Sequence, residues 1–259
     1  MTDRSDLLTL LGSLGFRAPR ESIEALLSHS TKNKLSPHQL LEALCEIESR
    51  ERTARNLARR EKMASLGSPK PLDQFDWNHP RLIDRALYEQ LHSTLDFIHA
   101  GQNVLFRGPS GVGKTTLALN LGLRALQQGY TVRFCSLPSA LADLMRQESI
   151  PATERRMTRY TAPDLLILDE LGYVPVDTRA ADLLFHIVSR RHEKRPIVIT
   201  TNLPYKQWTT TFQDATCLAA LVDRFAQHCH TIDIEAESWR LKQSQIRTGS
   251  TKIRKNTSS

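Results

Sequence analysis

Apolar residues recur along the chain with two different periods. From Asp6 to Leu14 leucines fall at helical spacing, Glu21 to Leu27 is a second short helical pattern, and a third opens at Ser36. There Ser36 suits a cap and Pro37 a first turn, and Leu40, Leu41, Leu44 and Ile47 share one face. Beyond Glu48 the same helix turns polar and basic, and Leu66-Gly67-Ser68-Pro69-Lys70-Pro71 breaks it. Residues 1–66 therefore predict a small all-helical domain, and 67–71 a linker. From residue 72 to 243 the pattern alternates. Strands are predicted at Asn103–Phe106, Thr131–Cys135, Asp164–Leu168, Pro196–Thr200 and His230–Ile234. Helices fall between them at Lys114–Gln128, Ser139–Gln147, Thr153–Tyr160, Thr178–Glu193 and Leu218–Ala226, with Pro151 separating the second and third. Leu165 to Leu168 run apolar without alternation, the mark of a strand covered on both faces. The expectation is an α/β domain with a parallel central sheet and flanking helices, followed by a polar, basic, disordered tail over 244–259.

Composition narrows the setting. With 40% hydrophobic and 24% charged residues, the chain of 259 can bury a sizeable core. No apolar run approaches the ~18 residues of a membrane span, and the opening MTDRSDLLTLL lacks a secretory design. A cytoplasmic protein with no membrane partner is expected. The four cysteines form no C-x-x-C pair and read as reduced thiols. His228, Cys229 and His230 are consecutive on a strand, so they cannot all converge on one metal. The net charge of +7 suggests an anionic partner. It gathers in Arg50–Lys62, with six basic and two acidic residues, and again after Glu237, where no further acid occurs. Two basic ends suit nucleic acid better than a small metabolite, with a solvated surface as the plainer reading.

Four stretches carry chemistry. Residues 108–115, GPSGVGKT, have the spacing of a phosphate-binding loop between a strand and a helix. Its glycines let backbone amides turn toward phosphate oxygens, Lys114 reaches the outer phosphates, and the Thr115 hydroxyl can ligate magnesium. LLILDE, 165–170, ends a buried strand in two acids, at the edge where parallel sheets bind ligands. Asp169 can hold magnesium through water, and Glu170 can polarise an attacking water, which hydrolysis needs and transfer to a substrate hydroxyl does not. PIVITTN, 196–202, ends in Thr200, Thr201 and Asn202, and Asn202 can orient that water or simply form a turn. LAALVDRF, 218–225, is a helix whose Leu218, Leu221, Val222 and Phe225 face inward. Arg224 lies off that stripe and projects outward, either as a surface charge beside Asp223 or as a finger for a neighbour's site.

In this order these stretches resemble the AAA+ ATPases, and within them the branch of DnaC-type helicase loaders and IstB-like insertion-sequence transposition helpers. The IstB-like proteins are the nearer likeness. The residues that carry it include GPSGVGKTTLALNLGLRALQQGYTVRF, DLLILDELGYVPVD, RPIVITTNLPYKQW and ALVDRFAQHCHTIDIEAESWRLK. The resemblance implies a P-loop AAA+ core with a lid domain absent or reduced. It makes Gly108, Pro109, Ser110, Gly111, Val112, Gly113, Lys114, Thr115 and Thr116 the Walker A loop for ATP, and Thr115 with Asp169 the Mg2+ ligands. Glu170 becomes the hydrolytic base, Asn202 sensor 1, Arg224 a trans-acting arginine finger, and Arg240 a candidate sensor 2. An extra helix before Walker B, with Arg155, Arg156 and Arg159, would track DNA phosphates. The implied activity is an ATPase that oligomerises as a ring or helix on double-stranded DNA, remodels it and recruits a cognate transposase, in a bacterial cytoplasm at the nucleoid. A DnaC-like replicative helicase loader remains open on the same motifs, and a small-molecule P-loop kinase is a more distant alternative.

Overall fold

β-Branched and leucine-rich segments build a six-stranded sheet. In the computed structural model its strands are β1 (Leu82–Ile83), β2 (Asn103–Arg107), β3 (Val132–Ser136), β4 (Leu165–Leu171), β5 (Ile197–Thr201) and β6 (Cys229–Glu235). The structure describes residues 4–172, 177–208, 212, 216–239 and 242. The strand order is β1-β6-β2-β5-β4-β3. All neighbours are parallel except β1, which runs antiparallel to β6. In this order β5 lies between the strand that feeds the glycine loop and the strand that ends in the acids.

Helices cover both faces, as parallel strands require. On one side α6 (Lys114–Gln127) buries Leu117, Ala118, Leu121 and Ala125. Packed with it is α4 (Arg85–Thr94), where the Asp84 side chain accepts the Leu87 amide as a cap. The Tyr88 hydroxyl donates to Leu117 O at 3.1 Å and locks this pair. On the other side lie α7 (Leu137–Met145), α8 (Ile150–Thr161), α9 (Thr178–Arg191) and α10 (Leu218–Ala226). They form one core with Leu105, Leu166, Leu168, Ile197 and Ile199. A short helix, α5 (Asp96–His99), leads into β2.

Two buried polar side chains organise the strand starts. Asn103 accepts the Ile197 amide at 2.8 Å and donates to Phe225 O at 2.9 Å, tying β2 to β5 and α10. Arg191, only 1% exposed, donates to the carbonyls of Tyr160, Thr161, Pro163, Asp164 and Pro196. One guanidinium thus satisfies the end of α8 and the entries to β4 and β5.

The chain divides into compact units at 1–62 and 63–259. The first contains α1 (Arg4–Ser13), α2 (Arg20–Asn33) and most of α3 (Pro37–Ala64). It buries Leu11 and Ile23 but leaves Leu7, Leu10 and Leu14 exposed, so helical leucine spacing in α1 does not by itself mark a core. Its buried charge is Glu48, which accepts the amides of Arg17 at 2.7 Å and Ala18 at 2.9 Å and pairs with Arg55 at 2.9 Å.

The predicted strands all form, with ends shifted by one to three residues. Two details differ. Pro151 sits in the first turn of α8, after the Ser149 cap, where its missing amide costs nothing. It therefore starts a helix rather than separating two. The stretch 72–102, for which the sequence reading named no element, contains a 3-10 turn (Leu72–Gln74), β1, α4 and α5. The tail 244–259 lies outside the described residues.

Candidate nucleotide-binding site

The glycine loop leaves the carboxyl end of β2, where the Gly108 amide donates to Thr201 O at 3.1 Å. It enters α6 through Gly113, whose φ of +99° is a left-handed conformation that glycine adopts freely. The positive end of α6 then adjoins the loop, a setting that favours phosphate oxygens. Lys114 is 6% exposed, and its Nζ donates to Gly108 O and Pro109 O, each at 2.7 Å. A nearly buried ammonium at the floor of a glycine loop suits an anion.

The acids approach from two strands away. Asp169 is 6% exposed and accepts from the Thr115 hydroxyl at 3.0 Å (Oδ1) and 3.2 Å (Oδ2). Thr200, on the intervening β5, also donates to Asp169 Oδ1 and accepts the Glu170 amide at 3.1 Å. The β4–β5 register slips between Leu168 and Leu171, and Glu170 in that slip has φ +67°. The backbone conformation is unusual for a non-glycine residue, and it turns the Glu170 side chain out to the cavity instead of into the sheet. Hydroxyl and carboxylate oxygens from Thr115 and Asp169 form a hard donor pair of the kind that Mg2+ takes alongside phosphate and water. Those two residues would hold the ion.

A cavity of about 470 Å3 joins these groups, a volume in the range of small-molecule sites. Ser110–Thr116, Asp169, Glu170 and Thr200 line it, so the glycine loop and the acid pair share one cavity. Gly108 and Pro109 contribute through their carbonyls to Lys114. Asn202 lies one residue beyond β5, exposed, beside Gly172 and outside the cavity lining. Thr200 occupies the place on that strand nearest the acids. Its signal was a hydroxyl in a buried strand, which the spacing of TTN drew toward Asn202 instead.

Arg224 does not project freely. It is half-buried, donates to Ser189 Oγ, and stacks over the Phe185 ring at 4.8 Å, both on α9. The aromatic face draws in the aliphatic and guanidinium surfaces that the apolar stripe alone leaves out. Of the three α8 arginines, Arg156 is committed to Asp143 in a bidentate pair at 2.5 and 2.7 Å. Arg155 and Arg159 remain exposed on one face, with Arg159 only 3.8 Å from Asp143 at its closest. Arg240 lies outside the described residues. The sequence reading missed Phe75, His79 and Trp239, which also line the cavity.

The matches to known proteins follow the same elements. The family model described as IstB-like ATP binding protein matches residues 9–246. A Pseudomonas aeruginosa protein described as an ATP-binding protein of insertion sequence IS21 is 35% identical over 93% of this chain and 90% of its own length. A Geobacillus stearothermophilus counterpart from insertion sequence IS5376 is 31% identical over 87% and 90%. Among solved structures, DnaI superposes with a TM-score of 0.53 at 18% identity, covering 67% of this chain and 93% of that one, and shares the AAA+ fold. The glycine loop, the acid pair and the strand order all fall within the matched span, and the chain belongs to the family of IstB-like ATP-binding proteins.

Proposed function

We propose that the chain is a Mg2+-dependent ATPase that assembles on duplex DNA and serves a transposase. The observation that carries hydrolysis is Glu170, turned into the same cavity as Lys114, Thr115 and Asp169. Its carboxylate accepts a proton from water as the water oxygen attacks the γ-phosphorus and the bond to the β–γ bridging oxygen breaks. Lys114 and the loop amides take up charge on the phosphates, and Mg2+, when bound, would add charge neutralisation between them. Asn202, one residue beyond β5 and outside the cavity lining, orients that water once the site is filled. Arg224 completes a neighbour's site, so nucleotide occupancy favours a ring or helical homo-oligomer.

The DNA and transposase parts rest on other features. Arg155 and Arg159 offer an exposed basic pair on α8, suited to phosphates rather than bases. The net charge of +7 agrees with a polyanionic partner. Relatives from insertion sequences point to transposition, and the helical domain of residues 1–66 is the segment that binds the partner, DNA or both. No helix among the described residues is long and apolar enough to cross a membrane, in keeping with work in the cytoplasm. The deciding experiment follows particle size with ATP on non-specific duplex and on single strands at fixed salt. ATP-dependent growth on the duplex is expected. A chain that stays monomeric with both overturns the proposal, and growth confined to single strands favours helicase loading instead.

A further inference from the structure

Two segments that belong to no nucleotide motif build one wall of the cavity. One precedes the sheet and supplies Phe75 and His79; the other follows β6 and supplies Trp239. All three side chains are half-buried and open onto the cavity that holds the glycine loop. The second segment is fastened to that loop. The Trp239 amide donates to Gly111 O at 3.0 Å, and His79 Nε2 donates to Glu237 O at 2.9 Å. That bond leaves His79 Nδ1 to accept from Lys242 Nζ at 3.5 Å. The His79 and Trp239 rings meet edge to face at 4.8 Å, and Lys242 Nζ stands 5.1 Å over the Trp239 ring.

The loop is shaped around this wall. At Gly111, with φ +79°, an added Cβ would strike Ser238 Oγ; at Gly113 it would lie 2.5 Å from Phe75 Cε2. These glycines therefore serve close packing of the wall as well as turning amides toward phosphate. Half-exposed aromatic faces beside a phosphate site are what a planar heterocycle needs, because every nucleobase has a π-face to stack.

We propose that Phe75, His79 and Trp239 form the nucleobase subsite, and that the segment Glu237–Trp239, pinned to Gly111, closes it. The ligand class is the purine base of the bound nucleotide. This rests on the reading of the cavity as an ATP site, and the experiment separates the two. Binding of ATP and of inorganic tripolyphosphate, each with Mg2+, is measured on the full chain by calorimetry for wild type, Trp239→Ala, Trp239→Phe and His79→Ala. Trp239→Ala is expected to weaken ATP about tenfold or more, the usual scale of one lost stacking partner, and to leave tripolyphosphate within about twofold. Trp239→Phe should recover most of the ATP affinity, and His79→Ala should weaken ATP alone. Equal losses for both ligands would overturn the proposal, since the segment would then only support the loop. No loss for either would overturn it as well. A wild-type chain that binds both ligands equally would remove the base subsite and leave the phosphate site standing; one that binds neither would remove both.

Discussion

Thr200 and Asp169 are joined across β5 and β4: the threonine hydroxyl donates to Asp169 Oδ1 while accepting the Glu170 amide. One side chain on the intervening strand thereby sets both acids, Asp169 through its carboxylate and Glu170 through its backbone. Replacing it with valine keeps the shape and removes both bonds. Thr200→Val should lower ATP turnover about tenfold or more, the rate equivalent of roughly 1.5 kcal/mol for a lost positioning bond. ATP affinity should stay within about threefold, and Thr200→Ser should restore turnover. Steady-state kinetics with a separate binding measurement checks the split; equal losses in binding and turnover would contradict it.

The division of labour between Lys114 and Glu170 leads to opposite phenotypes. Lys114 is held at the floor of the loop by Gly108 O and Pro109 O, so its loss removes the main cation facing the phosphates. Lys114→Ala should abolish measurable ATP binding at micromolar nucleotide. Glu170→Gln keeps size and loses the proton acceptor, so binding should persist while turnover falls by about 10² to 10⁴. Retained turnover in Glu170→Gln would place the base elsewhere.

Local chemistry was legible in the sequence, and long-range assembly was not. Gly108 to Thr115 sit in consecutive positions, so their geometry follows from spacing alone, and Leu165–Leu168 announce a buried strand before Asp169 and Glu170. His79 and Trp239 are 160 residues apart, and their rings meet beside the pairing of β1 with β6 at the sheet edge. Neither lies in a periodic run. Glu48 reads as the start of a polar helix face, yet it is buried because the Arg17 and Ala18 amides need an acceptor. Arg224 reads as exposed because periodicity registers apolar stripes and cannot register an aromatic ring such as Phe185 waiting on another helix.

Among the α8 arginines the structure separates a structural residue from two candidate DNA contacts. Arg156 holds Asp143 well below the usual carboxylate range, chiefly by its own hydrogen bonds, while the Tyr160 hydroxyl donates to the same acid at 2.5 Å. Arg155→Ala combined with Arg159→Ala should weaken duplex binding and reduce the slope of log affinity against log salt by about 2, one phosphate contact each. Arg156→Ala should instead lower the thermal midpoint. Salt titrations by fluorescence anisotropy, beside thermal melts, distinguish them; an unchanged salt slope in the double variant would exclude α8 from the DNA path.

The acid sensitivity of the helical unit should trace to Glu48. The Arg17 amide, with Arg55 and the Ala18 amide, holds its carboxyl below the ordinary value against the opposing effect of burial. A carboxyl lowered in the folded state contributes stability that is present above the unfolded value, about 4.3. The contribution is lost as pH falls through the folded one. Urea midpoints should therefore drop from pH 5 to pH 3. Glu48→Gln should start about 2 kcal/mol less stable at pH 7, because buried amides lose a charged acceptor. It should also show a shallower acid slope. Parallel slopes in the two proteins would assign the acid response to other groups.

Arg224 decides whether the site is shared. It rests on its own chain, against Ser189 and Phe185, and it is absent from the lining of its own cavity. A finger for a neighbour needs that arrangement: an arginine held in place at a surface away from the nucleotide it does not serve. Arg224→Ala should leave the ATP affinity of the monomer within about twofold and cut turnover of the assembly by about 10³ or more. Mixing Arg224→Ala with Glu170→Gln tests the geometry directly. At their shared interface the first chain supplies an intact Glu170 and the second an intact Arg224, so activity should reappear in the mixture and peak near equal proportions. A mixture as inactive as its two components at every ratio would mean that Arg224 acts within its own chain or only packs α10 on α9.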